Sequence, residues 1–204
     1  MNNKMNSKKK REISVYHLCL VGMAVVMNVA GAQLALTFRL PIYLDSIGTV
    51  MAGAMLGPFY GMIPSLLSGV ALGMTIDIYS LYFAPSGMLV GLMAGLVWKM
   101  HLAEKGRMWL AAVLVAIPGT FVSSVICAVV FNGITSSGSM ILVQLLARTP
   151  IGMTASIFLV QVVTEYADRL ISIYFVAVLL RTLPYGLKNK WKGGMGDGHS
   201  REPL

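Results

Sequence analysis

Charge avoids the long apolar stretches of this chain, and that segregation constrains its fold more than any other feature. The run from Val15 to Leu36 contains no Asp, Glu, Lys or Arg. At about 1.5 Å per helical residue it is long enough to cross a hydrocarbon core about 30 Å thick. Charged residues make up 12% of the 204 and apolar residues 56%, whereas roughly a quarter of an ordinary soluble domain is charged. That balance excludes a soluble globular protein. It predicts an all-α polytopic membrane protein, and one integral domain accounts for the length.

Six apolar runs fit transmembrane helices, at about residues 14–36, 43–57, 59–76, 86–100, 108–131 and 156–182. The second, third and fourth are short for spans. This predicts broken or irregular helices shielded by neighbours, because backbone groups left unpaired against lipid are not tolerated. Pro58, Pro64 and Pro118 add local irregularity. Between the fifth and sixth runs, a polar stretch from Thr135 to Ser139 leads into an apolar one from Met140 to Ala147, read as a short helix lying over one face. The chain then divides into a basic cytoplasmic tail at 1–12, a six-helix membrane domain at 13–187 and a basic, disordered cytoplasmic tail at 188–204. A basic start before an apolar run imitates a signal peptide, but no small-residue cleavage site follows, so a retained first helix is expected.

A net charge of +8 raises the question of nucleic acid, and the placement of the charges answers it. Lys4, Lys8, Lys9, Lys10 and Arg11 precede the first run; Lys99, Lys105 and Arg107 bracket a central loop; Arg181, Lys188, Lys190, Lys192 and Arg201 follow the last. Basic residues concentrate on the cytoplasmic side of membrane proteins, so both termini are expected in the cytoplasm, as an even number of spans requires. No nucleic-acid partner is expected. Cys19 and Cys127 lie in apolar runs without metal-ligand or redox spacing and read as buried packing residues. Neither a metal nor a cofactor is expected.

Small residues recur at a spacing of four: Gly53 and Gly57; Ser65, Gly69 and Gly73; Gly87, Gly91 and Gly95. Lipid gives helices no hydrophobic reason to associate, so close van der Waals packing across such faces has to supply much of the attraction. The rows fit packing within the bundle or docking of another membrane protein.

Ionisable groups inside a span are costly, about 2.5 to 3.5 kcal/mol near the centre on insertion scales, and therefore informative. The last run carries Glu165, Asp168 and Arg169. With helix entry near Ser156, Gln161 lies roughly 8 Å down, Glu165 roughly 14 Å and Arg169 roughly 20 Å. Two readings are open. In one, Glu165 and Arg169 neutralise each other structurally, with Asp168 near the inner boundary. In the other, Gln161 and Glu165 reach an externally open pocket while Arg169 sets the carboxylate's charge state. Asp45, Asp77, Tyr79, Tyr82, Asn132, Gln144 and Arg148 fall on the same expected external side. Together they form a polar, aromatic-bearing rim suited to a small polar solute. Taken singly, each also has a structural reading, such as a helix cap for Asp45. Enzyme signatures are absent: the sequence holds no HExxH, GxSxG or P-loop, and His17, His101 and His199 lie at expected cytoplasmic ends. The protein is not expected to be an enzyme.

The run LPIYLDSIGT from Leu40 to Thr49, the inner turn LGPFYG from Leu56 to Gly61 and the segment EYADR from Glu165 to Arg169, together with six compact spans, resemble the substrate-binding S component of energy-coupling-factor (ECF) vitamin transporters. The resemblance covers about residues 13–187. It implies a multi-pass subunit of a bacterial cytoplasmic membrane that captures a vitamin or related micronutrient from outside. It also implies a transmembrane coupling subunit and two ABC ATPases as partners, and toppling of the whole subunit to deliver the ligand inward. Family members dock through small residues on the first helix, often an alanine pair four apart. Here the comparable row is Ala24, Asn28 and Ala32, with Gly31 and Ala35 on an adjacent face. An ion-coupled secondary transporter using Asp77, Glu165 or Asp168, and an envelope scaffold using the glycine rows, are the alternatives.

Ligand chemistry stays broad at this stage. Asp77 and Glu165 favour hydroxyl or amine donors, Arg39 or Arg148 favours a carboxylate or phosphate, and Tyr79 and Tyr82 suit stacking on a heterocycle. Pyridoxine, a pyrimidine or nucleoside-like compound, pantothenate and a corrinoid all fit those terms.

Overall fold

The computed structural model describes residues 15–103 and 107–182. The expected tails at 1–12 and 188–204 lie outside the described residues. Seven α-helices and no strand are present among the described residues: α1 (Val15–Thr37), α2 (Ile47–Leu56), α3 (Pro58–Thr75), α4 (Ile78–Lys99), α5 (Met108–Phe131), α6 (Ser139–Leu146) and α7 (Met153–Thr182). By length and composition, α1, α4 and α5 can each cross a membrane. α7 is longer, but its middle carries the charged trio. The outer faces are apolar, with Leu18, Val26, Phe121, Val129, Val163 and Phe175 exposed, as expected where the solvent is hydrocarbon. These are the marks of a helical membrane protein.

α2 is the unusual element. Its ten residues rise only about 15 Å, half a hydrocarbon core, and every residue from Gly48 to Ala54 is buried. It packs against α1, α3, α4 and α7. A single residue, Gly57, joins it to α3 at φ 93° and ψ 176°, backbone angles essentially restricted to glycine. Pro58 then opens α3, at the position where a missing N–H leaves no hydrogen bond unmade.

The glycine rows pack inside the bundle. A methyl on Gly61 would sit 2.5 Å from the Gly91 carbonyl oxygen, and one on Gly69 would sit 2.7 Å from Ala84 Cβ. α3 and α4 therefore approach backbone to backbone. Ser86 on α4 donates to the Gly119 carbonyl at 2.9 Å, tying α4 to α5 just beyond Pro118.

The apolar core lies at the end of the bundle where α4 stops and α5 begins. Leu20 and Ala24, Val50 to Ala54, Val90 to Trp98, Ala111 to Val115, and Ile173 to Leu180 contribute to it. A smaller cluster of Cys127, Val143, Ile157 and Val160 underlies α6. Between them the interior is polar.

Three expectations are corrected. α4 begins at Ile78, eight residues before the expected 86, so only Ile76 and Asp77 connect it to α3, while Tyr79, Tyr82 and Ser86 are helical. Polar residues there resemble a loop in sequence, but their side chains pack on the bundle. Cys19 is exposed rather than buried, although Cys127 is buried. The expected docking row is turned inward: Ala24, Asn28, Gly31, Ala32 and Ala35 are all buried. Gly31 lies against the Leu44 carbonyl and Ala24 against Gly48. In this conformation the row packs α1 onto α2 and its preceding loop, and any docking face of α1 lies elsewhere.

Candidate ligand-binding site

Asn28 on α1 anchors the start of α2. Its amide oxygen accepts from the backbone N–H groups of Gly48 at 2.9 Å and Thr49 at 3.2 Å, groups that a helix start leaves without internal partners. Its amide nitrogen donates to Thr49 Oγ1 at 2.7 Å and Ser68 Oγ at 3.3 Å. This one fully buried side chain binds the starts and faces of three helices together.

The loop leading into α2 is held from the other side by α7. Asp168 Oδ1 accepts from the Leu44 N–H at 2.9 Å, and Oδ2 accepts from Ser46 Oγ at 3.1 Å and from an Arg169 terminal nitrogen at 2.9 Å. Leu44 adopts φ 52°, uncommon for a leucine; the bond to Asp168 falls at that strained residue. The other terminal nitrogen of Arg169 bonds Glu165 at 2.8 Å. Glu165, Asp168 and Arg169 are each at most 5% exposed. The structural reading of the Glu165–Arg169 pair is therefore present, but Asp168 is at the loop that opens α2 rather than at an inner boundary.

A cavity of about 70 Å³ lies over this trio, lined by Asp45 and Ser46 from the loop, Ser65 and Ser68 from α3, Asp77, Tyr79 and Ser86 at or on α4, Ser137, and Glu165 and Arg169 from α7. That volume has room for several waters. Thus Glu165 and Arg169 form part of the cavity wall, while Asp168 behind them ties the loop to α7. Asp77 accepts from Ser80 at 3.1 Å and Ser136 at 2.8 Å, closing one rim. At another, the Tyr43 hydroxyl meets Ser137 at 3.3 Å, Ser139 at 3.2 Å and Gln161 Oε1 at 3.5 Å.

Of the residues expected from sequence, Asp45, Asp77, Tyr79 and Glu165 line the cavity, and Gln161 is buried beside it through Tyr43. Tyr82, Asn132, Gln144 and Arg148 do not line it. Tyr82 is 48% exposed and edge-on to Phe131. Asn132 caps α5 in a left-handed conformation, while Gln144 and Arg148 are exposed. Tyr79 also lies edge-on to Phe131. Sequence reasoning missed Tyr43, Ser68 and Ser137 and read Ser65 only as part of a packing row. Tyr43, Asp45 and Ser46 are adjacent in the LPIYLDSIGT run, which was the available signal; Ser68 and Ser137 had none.

Among the described residues no cluster of His, Cys, Asp and Glu is suited to hold a metal. Fold and cavity define a helical membrane protein with a polar, acidic chamber inside the bundle. Comparison with protein-family models, curated proteins and solved structures gave no match.

Proposed function

We propose that this protein is a membrane substrate-binding subunit of an ECF-type importer, which captures a vitamin or related micronutrient from outside and passes it inward. The observation that carries the reading is the polar cavity at the start of α2, a half-length helix embedded in the bundle. In membrane proteins, short helices that begin within the bundle bring backbone dipoles and irregular segments to a solute site shielded from lipid. On this reading the chain crosses the cell membrane six times, with α6 as an accessory helix and both termini in the cytoplasm, consistent with the basic residues flanking α4, α5 and α7. Asp45, Asp77, Tyr79 and Glu165 contact the ligand. A coupling subunit and two ABC ATPases supply the energy, since the sequence carries no P-loop of its own.

Reconstitution of the protein alone into liposomes tests the division of labour. The compound it binds should be retained at equilibrium but not accumulated when a proton or sodium gradient is imposed. Gradient-driven accumulation by the protein alone would identify an ion-coupled carrier instead.

A further inference from the structure

Charge in the cavity wall is unbalanced. Asp45, Asp77 and Glu165 line it beside one cation, Arg169. Each terminal nitrogen of that guanidinium already holds a carboxylate, Glu165 on one and Asp168, behind the wall, on the other. The other arginines considered for anion recognition, Arg39 and Arg148, are exposed and do not line the cavity. An entering carboxylate or phosphate would meet surplus negative charge with no free guanidinium fork to receive it. In a poorly solvated interior such like-charge contact is strongly unfavourable.

Two groups remain available to a ligand. The Asp45 carboxylate faces the cavity within the field of Arg169, and its hydrogen bond is to its own backbone rather than to a side chain. Arg169 Nε is buried in the same wall without an acceptor, although buried donors are nearly always satisfied. Asp45 asks for a donor or a cation, and Arg169 Nε for a lone pair. Ser65, Ser68 and Ser86, all buried on the cavity wall, already donate to the carbonyls of Ala84, Ser65 and Gly119 and so offer lone pairs rather than protons.

We propose that the cavity is selective for a small nitrogen heterocycle, neutral or cationic, that turns an N–H donor toward Asp45 beside a lone-pair acceptor for Arg169, and that it excludes anionic compounds. An aminopyrimidine edge has that donor and acceptor side by side. This inference rests on the binding-subunit reading and narrows its substrate class.

The experiment uses full-length protein purified in detergent. Thermal unfolding is followed with 4-aminopyrimidine, cytosine, thiamine and pyridoxamine as nitrogen-donor probes, and with pantothenate, biotin and nicotinate as anionic probes, for the wild type and Asp45→Asn. At least one nitrogen-donor probe should raise the midpoint by several degrees, no anionic probe should, and Asp45→Asn should weaken the productive probe at least tenfold in titration while remaining monodisperse. Stabilisation by an anionic probe, or unchanged affinity in Asp45→Asn, overturns the charge selectivity and leaves the binding subunit standing. Should Asp45→Asn fail to fold, the wild-type ranking of the two probe sets decides alone. No stabilisation by any probe, with no small molecule released from the purified protein on denaturation, overturns both.

Discussion

The backbone N–H of Leu44 donates to the Asp168 carboxylate at 2.9 Å, joining the loop before α2 to the middle of α7 across 124 residues of sequence. Asp168 also accepts from Ser46 and Arg169, so its removal leaves three donors short of an acceptor. Asp168→Ala should cost about 3 to 5 kcal/mol, the range for breaking a buried ion pair from one side. Denaturant unfolding in detergent measures it, and a loss below about 1 kcal/mol would show that the loop does not depend on this contact.

Asn28 gives a second handle on the same loop. All four of its hydrogen bonds are made inside the bundle, and truncation strands the Gly48 and Thr49 N–H groups away from water. Asn28→Ala should destabilise by about 2 to 3 kcal/mol, whereas the exposed Gln33, one turn and a half further along α1, should tolerate alanine with little change. Equal effects at the two positions would contradict the anchoring role.

Glycine at the α3–α4 contact is required by space. A side chain on Gly91 would overlap the Gly61 carbonyl, while Gly22 has nothing within 4 Å of an added methyl. Gly91→Val should therefore lose about 1 to 3 kcal/mol or more as the helices are forced apart, and Gly22→Ala should be near neutral. Thermal midpoints of the two variants, compared with the wild type, check the contrast.

Much of the helical layout is legible in the sequence, because a membrane requires long apolar runs and a break in hydropathy marks each end. The limits of α5 agree with the expected 108–131, and α1 and α7 differ from theirs by a few residues at most. α4 is longer than its apolar run because Tyr79, Tyr82 and Ser86 pack on α3, α5 and the cavity, a tertiary contact that local polarity hides. The Ala24 to Ala35 row illustrates a different ambiguity: small residues four apart look the same whether the face meets another protein or the chain's own loop. Glu165 was recognisable because a carboxylate inside an apolar run is costly, and Asp45 and Asp77 because they fall with it on the expected external rim. The place of Asp168 was not, since it depends on the Leu40 to Ser46 loop folding back onto α7.

The most direct measurement is to purify the protein in detergent from cells grown in rich medium, denature it and identify any released small molecule by mass spectrometry, with Glu165→Gln in parallel. A binding subunit should release a vitamin-like heterocycle in near-stoichiometric amount, and Glu165→Gln should bind that compound more than tenfold more weakly while staying folded. An empty wild-type protein that also gains no thermal stability from a vitamin panel would contradict the account.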